Sequence, residues 1–200
     1  MALIVGLTGG IASGKSTIVK MFEDNKIPVI DTDDIARELL NSDEAIKATI
    51  IETFGEDILT PSKEINRNKL AKIIFSDKDQ RQKLNDIVHP QVKDRVFKEI
   101  EHFKDLNHNI IVVDVPLLFE AGFDQFMDKT IVVYAKKKTQ IERLIAREGI
   151  DEAYAKQKVN AQIPLSKKKE KADYCIDNSQ SILQTAKSFQ RILKKLEAKS

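Results

Sequence analysis

The sequence predicts an α/β fold, a three-layer sandwich built on a five-stranded parallel sheet with a phosphate-binding loop. Three observations carry this expectation. Five short apolar runs, near residues 3–7, 27–30, 109–114, 130–135 and 173–178, are separated by helical patterns. The third, Asn109-Ile110-Ile111-Val112-Val113-Asp114, is apolar without alternation, as expected of a strand covered on both faces. The first runs straight into Gly9-Gly10-Ile11-Ala12-Ser13-Gly14-Lys15-Ser16 and then Thr17, which matches G-x-x-x-x-G-K-[ST] without a mismatch.

The loop brings its own chemistry. Glycines let the backbone turn tightly and gather its N–H groups toward one point. The helix expected over 15–24, with Ile18, Val19 and Phe22 on its apolar face, adds unpaired donors at its N-terminus. Residues Gly9 to Thr17 therefore form a cradle for the phosphates of ATP or GTP. Lys15 can reach the β- and γ-phosphates, and the Ser16 hydroxyl can ligate Mg²⁺.

Composition narrows the classes. Two hundred residues with 42% hydrophobic side chains suit one core domain with insertions. Basic and acidic residues number 33 and 31, for a net charge of +2, too balanced to argue for nucleic acid or an anionic membrane. Cys175 is the single cysteine, so no internal disulfide forms, in keeping with a reducing compartment. The first apolar run is too short for a signal peptide, and no run approaches a membrane span. The expectation is a cytoplasmic protein whose oligomeric state the sequence leaves open, with a monomer favoured since the terminal stripe is occupied by packing.

Along the chain, the second strand ends in Asp31-Thr32-Asp33-Asp34 before a helical segment at 35–40. Strand, acidic cluster and helix mark a site at the carboxyl edge of a parallel sheet. Asp31 and Asp33 lie two apart, and only one need face the phosphates; the cluster alone would also serve as a helix cap. Residues 43–54 predict a helix ended by Gly55. Asn66 caps another, and a third covers 78–88. His89-Pro90 then predicts a break and a fresh helix with Val92, Val96, Ile100 and Phe103 on one face. Residues 41–104 thus form a helical insertion, of a kind suited to gripping a second substrate.

Further on, the strand closing on Asp114 supplies the second element of the phosphate site, holding Mg²⁺ through water or orienting Ser16. Arg143 and Arg147 are four apart on one helix, either a solvated face or a clamp on the transferring phosphoryl group. Lys167–Lys171 predicts a solvated helix face or lid edge. Residues 180–197 predict an amphipathic helix with Ile182, Leu183, Ala186, Phe189, Ile192, Leu193 and Leu196 as its packing stripe. No guanine-reading N/T-K-x-D segment is present; Asn25-Lys26 is followed by Ile27-Pro28. A small-molecule kinase fits this set better than a switch protein, an RNA-binding protein or a motor.

The sequence resembles the dephospho-CoA kinase family over essentially its whole length. The resemblance rests on GLTGGIASGKST, VIDTDDIAREL, INRNKLAKIIF, the HP pair and VVDVPLLFE, followed by QIERLIARE, AQIPLSKKKEKAD and CIDNS, in that order and spacing. It implies transfer of the ATP γ-phosphoryl group to the ribose 3′-hydroxyl of dephospho-CoA, with ATP and Mg²⁺ as cofactors. It implies a nucleotide core at 1–40, 105–148 and 172–200, a helical CoA domain at 41–104 and a lid at 149–171. By the same resemblance Asp33 is the catalytic base. Arg37, Arg67 and His89 lie on the acceptor side, Arg143 and Arg147 bind phosphate, and Asn178 lies near the adenine. The family often has an arginine where this chain has Lys158, which keeps the charge and loses the two-pronged geometry.

Overall fold

The computed structural model describes residues 2–199; residues 1 and 200, at the ends of the expected core, lie outside it. It divides into two compact units, Met1–Asp31 with Ile100–Ser200, and Thr32–Glu99.

The first unit holds a five-stranded, wholly parallel sheet in the order β2-β3-β1-β4-β5. The strands are β1 (Leu3–Gly9), β2 (Val29–Asp31), β3 (Ile110–Asp114), β4 (Lys129–Tyr134) and β5 (Tyr174–Asp177). All five residues of β3 are buried, as its unbroken apolar run requires. Residue alternation divides the sheet into two faces. Val5 and Leu7 of β1, with Ile131 and Val133 of β4, pack against helices α1 (Lys15–Asp24) and α9 (Ile182–Glu197). There the rings of Phe22 and Phe189 meet edge to face at 4.8 Å. Strand β5 is tied to β4 by Asp173, whose carboxylate accepts from the Thr130 backbone N–H (2.9 Å), the Thr130 hydroxyl (3.1 Å) and Lys129 Nζ (2.7 Å).

Helix α6 (Lys137–Glu148) ends at Gly149, in the left-handed region with φ 65°. It shares a small apolar cluster, built on Ile141, Leu144 and Ala155, with α7 (Glu152–Asn160). Helix α8 (Leu165–Lys171) follows. Its lysine run is not wholly solvated, contrary to the expectation from composition. Lys168 is fully buried and ion-pairs with Glu120 at 2.8 Å, because its place on the helix turns it inward.

The second unit is helical. Helix α2 spans Thr32–Ser42, so Asp31 closes β2 whereas Asp33 stands in the first turn of the helix, and the two side chains do not share one strand. Asp43 caps α3 (Glu44–Phe54) by accepting from the Ala45 and Ile46 N–H groups, both at 3.0 Å. Asn66 caps α4 (Arg67–Ser76) through Lys69 N–H at 3.1 Å.

Helix α5 runs unbroken from Lys78 to Asp105, with Pro90 inside it, where the sequence predicted two helices. The reason is a four-residue packing stripe that crosses the proline. Val88, Val92, Val96 and Ile100 are all buried on one face, and their burial outweighs the roughly 3 kcal/mol that an internal proline costs.

One further expectation fails at the start of α9. Ile182 and Leu183 are 59% and 65% exposed, and Thr185 takes the buried place instead. The stripe proper begins at Thr185 and continues through Phe189, Ile192, Leu193 and Leu196.

Candidate active site

The loop between β1 and α1 is held in a conformation that its sequence alone does not favour. Ala12 has φ 54° and Gly14 φ 84°, both in the left-handed region. At Gly14 a Cβ would lie 2.0 Å from Asn178 Nδ2, so glycine is required by both backbone and space. Polar side chains fix the loop from outside. The Ser13 carbonyl accepts from Asn178 Nδ2 at 2.8 Å and from Arg143 Nη1 at 3.3 Å. Arg143 Nη2 also donates to the Asn178 carbonyl at 2.9 Å. Asn178 is buried, and its Oδ1 accepts from the Thr185 hydroxyl at 3.0 Å. Thus Arg143 and Asn178, distant in sequence, meet on the same carbonyl of the loop.

Gln140 and Gln162 grip the loop one turn earlier. The Ile11 N–H donates to Gln162 Oε1 at 2.8 Å, and Gln140 Nε2 donates to the Ile11 carbonyl at 2.7 Å. Sequence reasoning passed over both. The available signal was position: Gln140 stands beside Ile141 and one turn before Leu144 and Arg143, a buried polar residue on a packing face.

Lys15, first residue of α1, makes an ion pair with Asp114, last residue of β3. Asp114 is 3% exposed and stands beside Asp31 in the parallel register of β2 and β3, at the carboxyl edge of the sheet. Ser16 is exposed at the start of α1. A cavity of about 330 Å³ opens beside the loop, lined by Gly14, Thr17, Arg143, Asn178, Gln180 and Ile182. The exposure of Ile182 thus has a consequence: it offers an apolar wall to this cavity.

Arg147 does not join Arg143 there. Arg147 Nη2 pairs with Glu148 at 2.8 Å, and Lys158 pairs with the other oxygen of the same carboxylate. The hydrogen bonds from Lys158 and Arg147 hold the Glu148 carboxyl below the usual carboxylate range.

On the second unit, Arg67, first residue of α4, reaches α2: its Nη2 donates to the Arg37 backbone carbonyl at 3.1 Å and to Asn41 Oδ1 at 2.8 Å. Arg37 itself pairs with Asp34, one residue after Asp33. His89 lies in the middle of α5, where burial lowers its pKa against the raising effect of Asp86.

The dephospho-CoA kinase family (CoaE) matches residues 3–184. The chain belongs to the dephospho-CoA kinase family. It is 44% identical to a dephospho-CoA kinase of Oryza sativa over 96% of this chain and 83% of that protein. It is 41% identical to the dephospho-CoA kinase of Oceanobacillus iheyensis over 98% of both. Among solved structures, dephospho-CoA kinase from Campylobacter jejuni superposes with a TM-score of 0.73 at 26% identity, covering 98% of each chain. TT1252 from Thermus thermophilus superposes at 0.84 with 27% identity, covering 99% of this chain and 97% of that one. A shikimate kinase of Acinetobacter baumannii, at 14% identity and a TM-score of 0.58, shares the fold alone. The family is one of ATP-dependent kinases that phosphorylate dephospho-CoA to coenzyme A, and its phosphate loop is complete in this chain.

Proposed function

We propose that this chain transfers the γ-phosphoryl group of ATP to the ribose 3′-hydroxyl of dephospho-CoA, with Asp33 as the base. Family membership over residues 3–184, joined to an intact phosphate loop, carries this reading. The 3′-oxygen attacks the γ-phosphorus, the bond to the β–γ bridging oxygen breaks, ADP leaves, and the hydroxyl proton passes to Asp33. A sugar hydroxyl is a poor nucleophile, so alignment and late proton transfer contribute more than prior deprotonation.

Lys15 offsets charge on the β- and γ-phosphates, and Arg143 offsets it from the α6 side. Arg147 joins them only on exchanging Glu148 for phosphate. Asn178 and Ile182 border the space for the base of ATP. Arg37, Arg67 and His89 bind the acceptor. The segment 149–171 acts as a lid that excludes water from the reacting groups.

Among the described residues no cluster of three or more His, Cys, Asp or Glu side chains is poised to hold a metal. Magnesium does not ask for one: it keeps several waters and takes one or two protein oxygens plus phosphates. The exposed Ser16 hydroxyl is one hard oxygen donor, and the Asp114 carboxylate, once Lys15 turns from it to phosphate, is a second; both fit that need. When bound, Mg²⁺ supplies neutralising charge across the β- and γ-phosphates.

Among the described residues no helix is long and apolar enough to cross a membrane. We place the protein in the cytoplasm, with the oligomeric state open and a monomer favoured; the near-balanced charge argues against nucleic-acid and anionic-membrane partners.

The test is ADP release with ATP and Mg²⁺, with and without dephospho-CoA, with product mass read from the same tubes. ADP that appears only with the acceptor, together with coenzyme A, is the expected result. ADP without an acceptor would point to an ATPase. In the same assay Asp33→Asn should lower kcat by about 10²-fold or more with ATP binding retained. A loss of only a few-fold would remove Asp33 as the base.

A further inference from the structure

We infer that Gln140 and Gln162 are positioning residues for the phosphate loop: together they hold the Ile11 peptide groups and set the loop in its phosphate-binding shape. The inference rests on the reading that this loop binds ATP. Three features of the first unit carry it.

The first is complementarity. Gln162 presents its carbonyl oxygen to the Ile11 N–H, and Gln140 presents its amide N–H to the Ile11 carbonyl. Each amide therefore uses the half that its partner requires. Gln140 is 3% exposed, so its donor is removed from competing water.

The second is need. Ala12, directly after Ile11, holds φ 54°, a left-handed conformation that strains a non-glycine residue and persists only where neighbours impose it. With the Ser13 carbonyl held by Arg143 and Asn178, the strained residue is clamped on both sides.

The third is anchorage. Gln162 lies between α7 and α8, and α8 is fastened by the Lys168–Glu120 pair. Leu165 of α8 covers Gly10 so closely that a Cβ there would lie 3.0 Å from its Cδ1 and 2.5 Å from Gln140 Nε2. The segment read as a lid is thus also a brace whose Gln162 end reaches the loop.

The two hydrogen bonds run in opposite directions, and this gives a clean test. Glu at position 162 still accepts from the Ile11 N–H. Glu at position 140 sets a carboxylate oxygen against the Ile11 carbonyl. Both substitutions add one negative charge near the loop, so charge alone predicts similar losses. We would measure ATP affinity by calorimetry, KM for ATP and for dephospho-CoA, kcat, and the melting temperature of the ligand-free protein, for wild type, Gln140→Glu, Gln162→Glu and Gln162→Met.

KM for ATP should rise more in Gln140→Glu than in Gln162→Glu, by about fivefold or more, with KM for dephospho-CoA little changed. Gln162→Met, which cannot accept, should raise KM for ATP by about three- to tenfold, the range of one neutral hydrogen bond. Gln162→Glu should recover part of that loss. Equal losses in the two Glu variants would overturn the inference, as would lowered melting temperature without change in ATP affinity. If Gln140→Glu fails to fold, the comparison of Gln162→Met with wild type decides, and an unchanged ATP affinity overturns the inference. If wild type itself binds no ATP, the functional reading fails, not the brace.

Discussion

Gly14 is held to glycine by two independent constraints, its φ of 84° and the Asn178 amide that would meet a Cβ at 2.0 Å. Gly14→Ala must either move Asn178 off the Ser13 carbonyl or distort the loop. Because Arg143 shares that carbonyl, the damage reaches the phosphate side. ATP affinity should fall by about tenfold or more, while the melting temperature of the ligand-free protein drops by only a few degrees. Isothermal calorimetry with ATP alongside thermal unfolding checks both. His89 gives a second residue-scale expectation. Burial holds its folded pKa below its unfolded value of about 6.5, so the unfolded chain takes up the proton first as pH falls. His89 therefore contributes stability above pH ~6.5 that is lost on acidification through the folded pKa. His89→Gln should flatten the fall in urea midpoint between about pH 7 and 5; an unchanged slope would show that the ring titrates alike in both states.

At the scale of elements, packing overrides local preference in three places. The stripe of α5 carries a helix through Pro90. Helix α8 buries a lysine against Glu120. The first turn of α9 leaves two apolar residues in the open. The last contrast yields a paired prediction. Phe189 is 1% exposed and sits against Phe22, so Phe189→Ala should cost about 3–5 kcal/mol. Leu183 is 65% exposed, so Leu183→Lys should stay within about 0.5 kcal/mol of wild type. Urea unfolding of both variants measures the difference, and similar costs would contradict the exposure of Leu183. Strand β5 depends on Asp173 in another way. Burial works to raise its pKa, but hydrogen bonds from Lys129 and Thr130 outweigh it and hold the carboxyl low. This contribution is present above the unfolded carboxylate pKa of about 3.9 and fades as pH falls through the lower folded value. Asp173→Asn should lose the acid limb of stability below about pH 4, measured by thermal unfolding across pH.

For the whole molecule, the sequence alone determined the five-stranded parallel sheet, the phosphate loop and the helical segment between β2 and β3, because each is written in local pattern. Apolar runs mark buried strands, and a complete loop motif needs no distant residue to be recognised. The family follows from the same linear order of motifs. The tertiary structure alone decided that Lys15 pairs with Asp114, that Arg143 and Asn178 share the Ser13 carbonyl, and that Arg147 is turned to Glu148. It also decided which polar residues of α6 and the α7–α8 link reach the loop. These are contacts across 35 to 165 positions of chain, together with one choice between partners on a single helix face. Periodicity tells which side of a helix is buried; only the packed structure tells what lies opposite. The continuous α5 has the same origin, since the penalty of Pro90 is local and visible in sequence, whereas the burial that outweighs it is supplied by the rest of the fold.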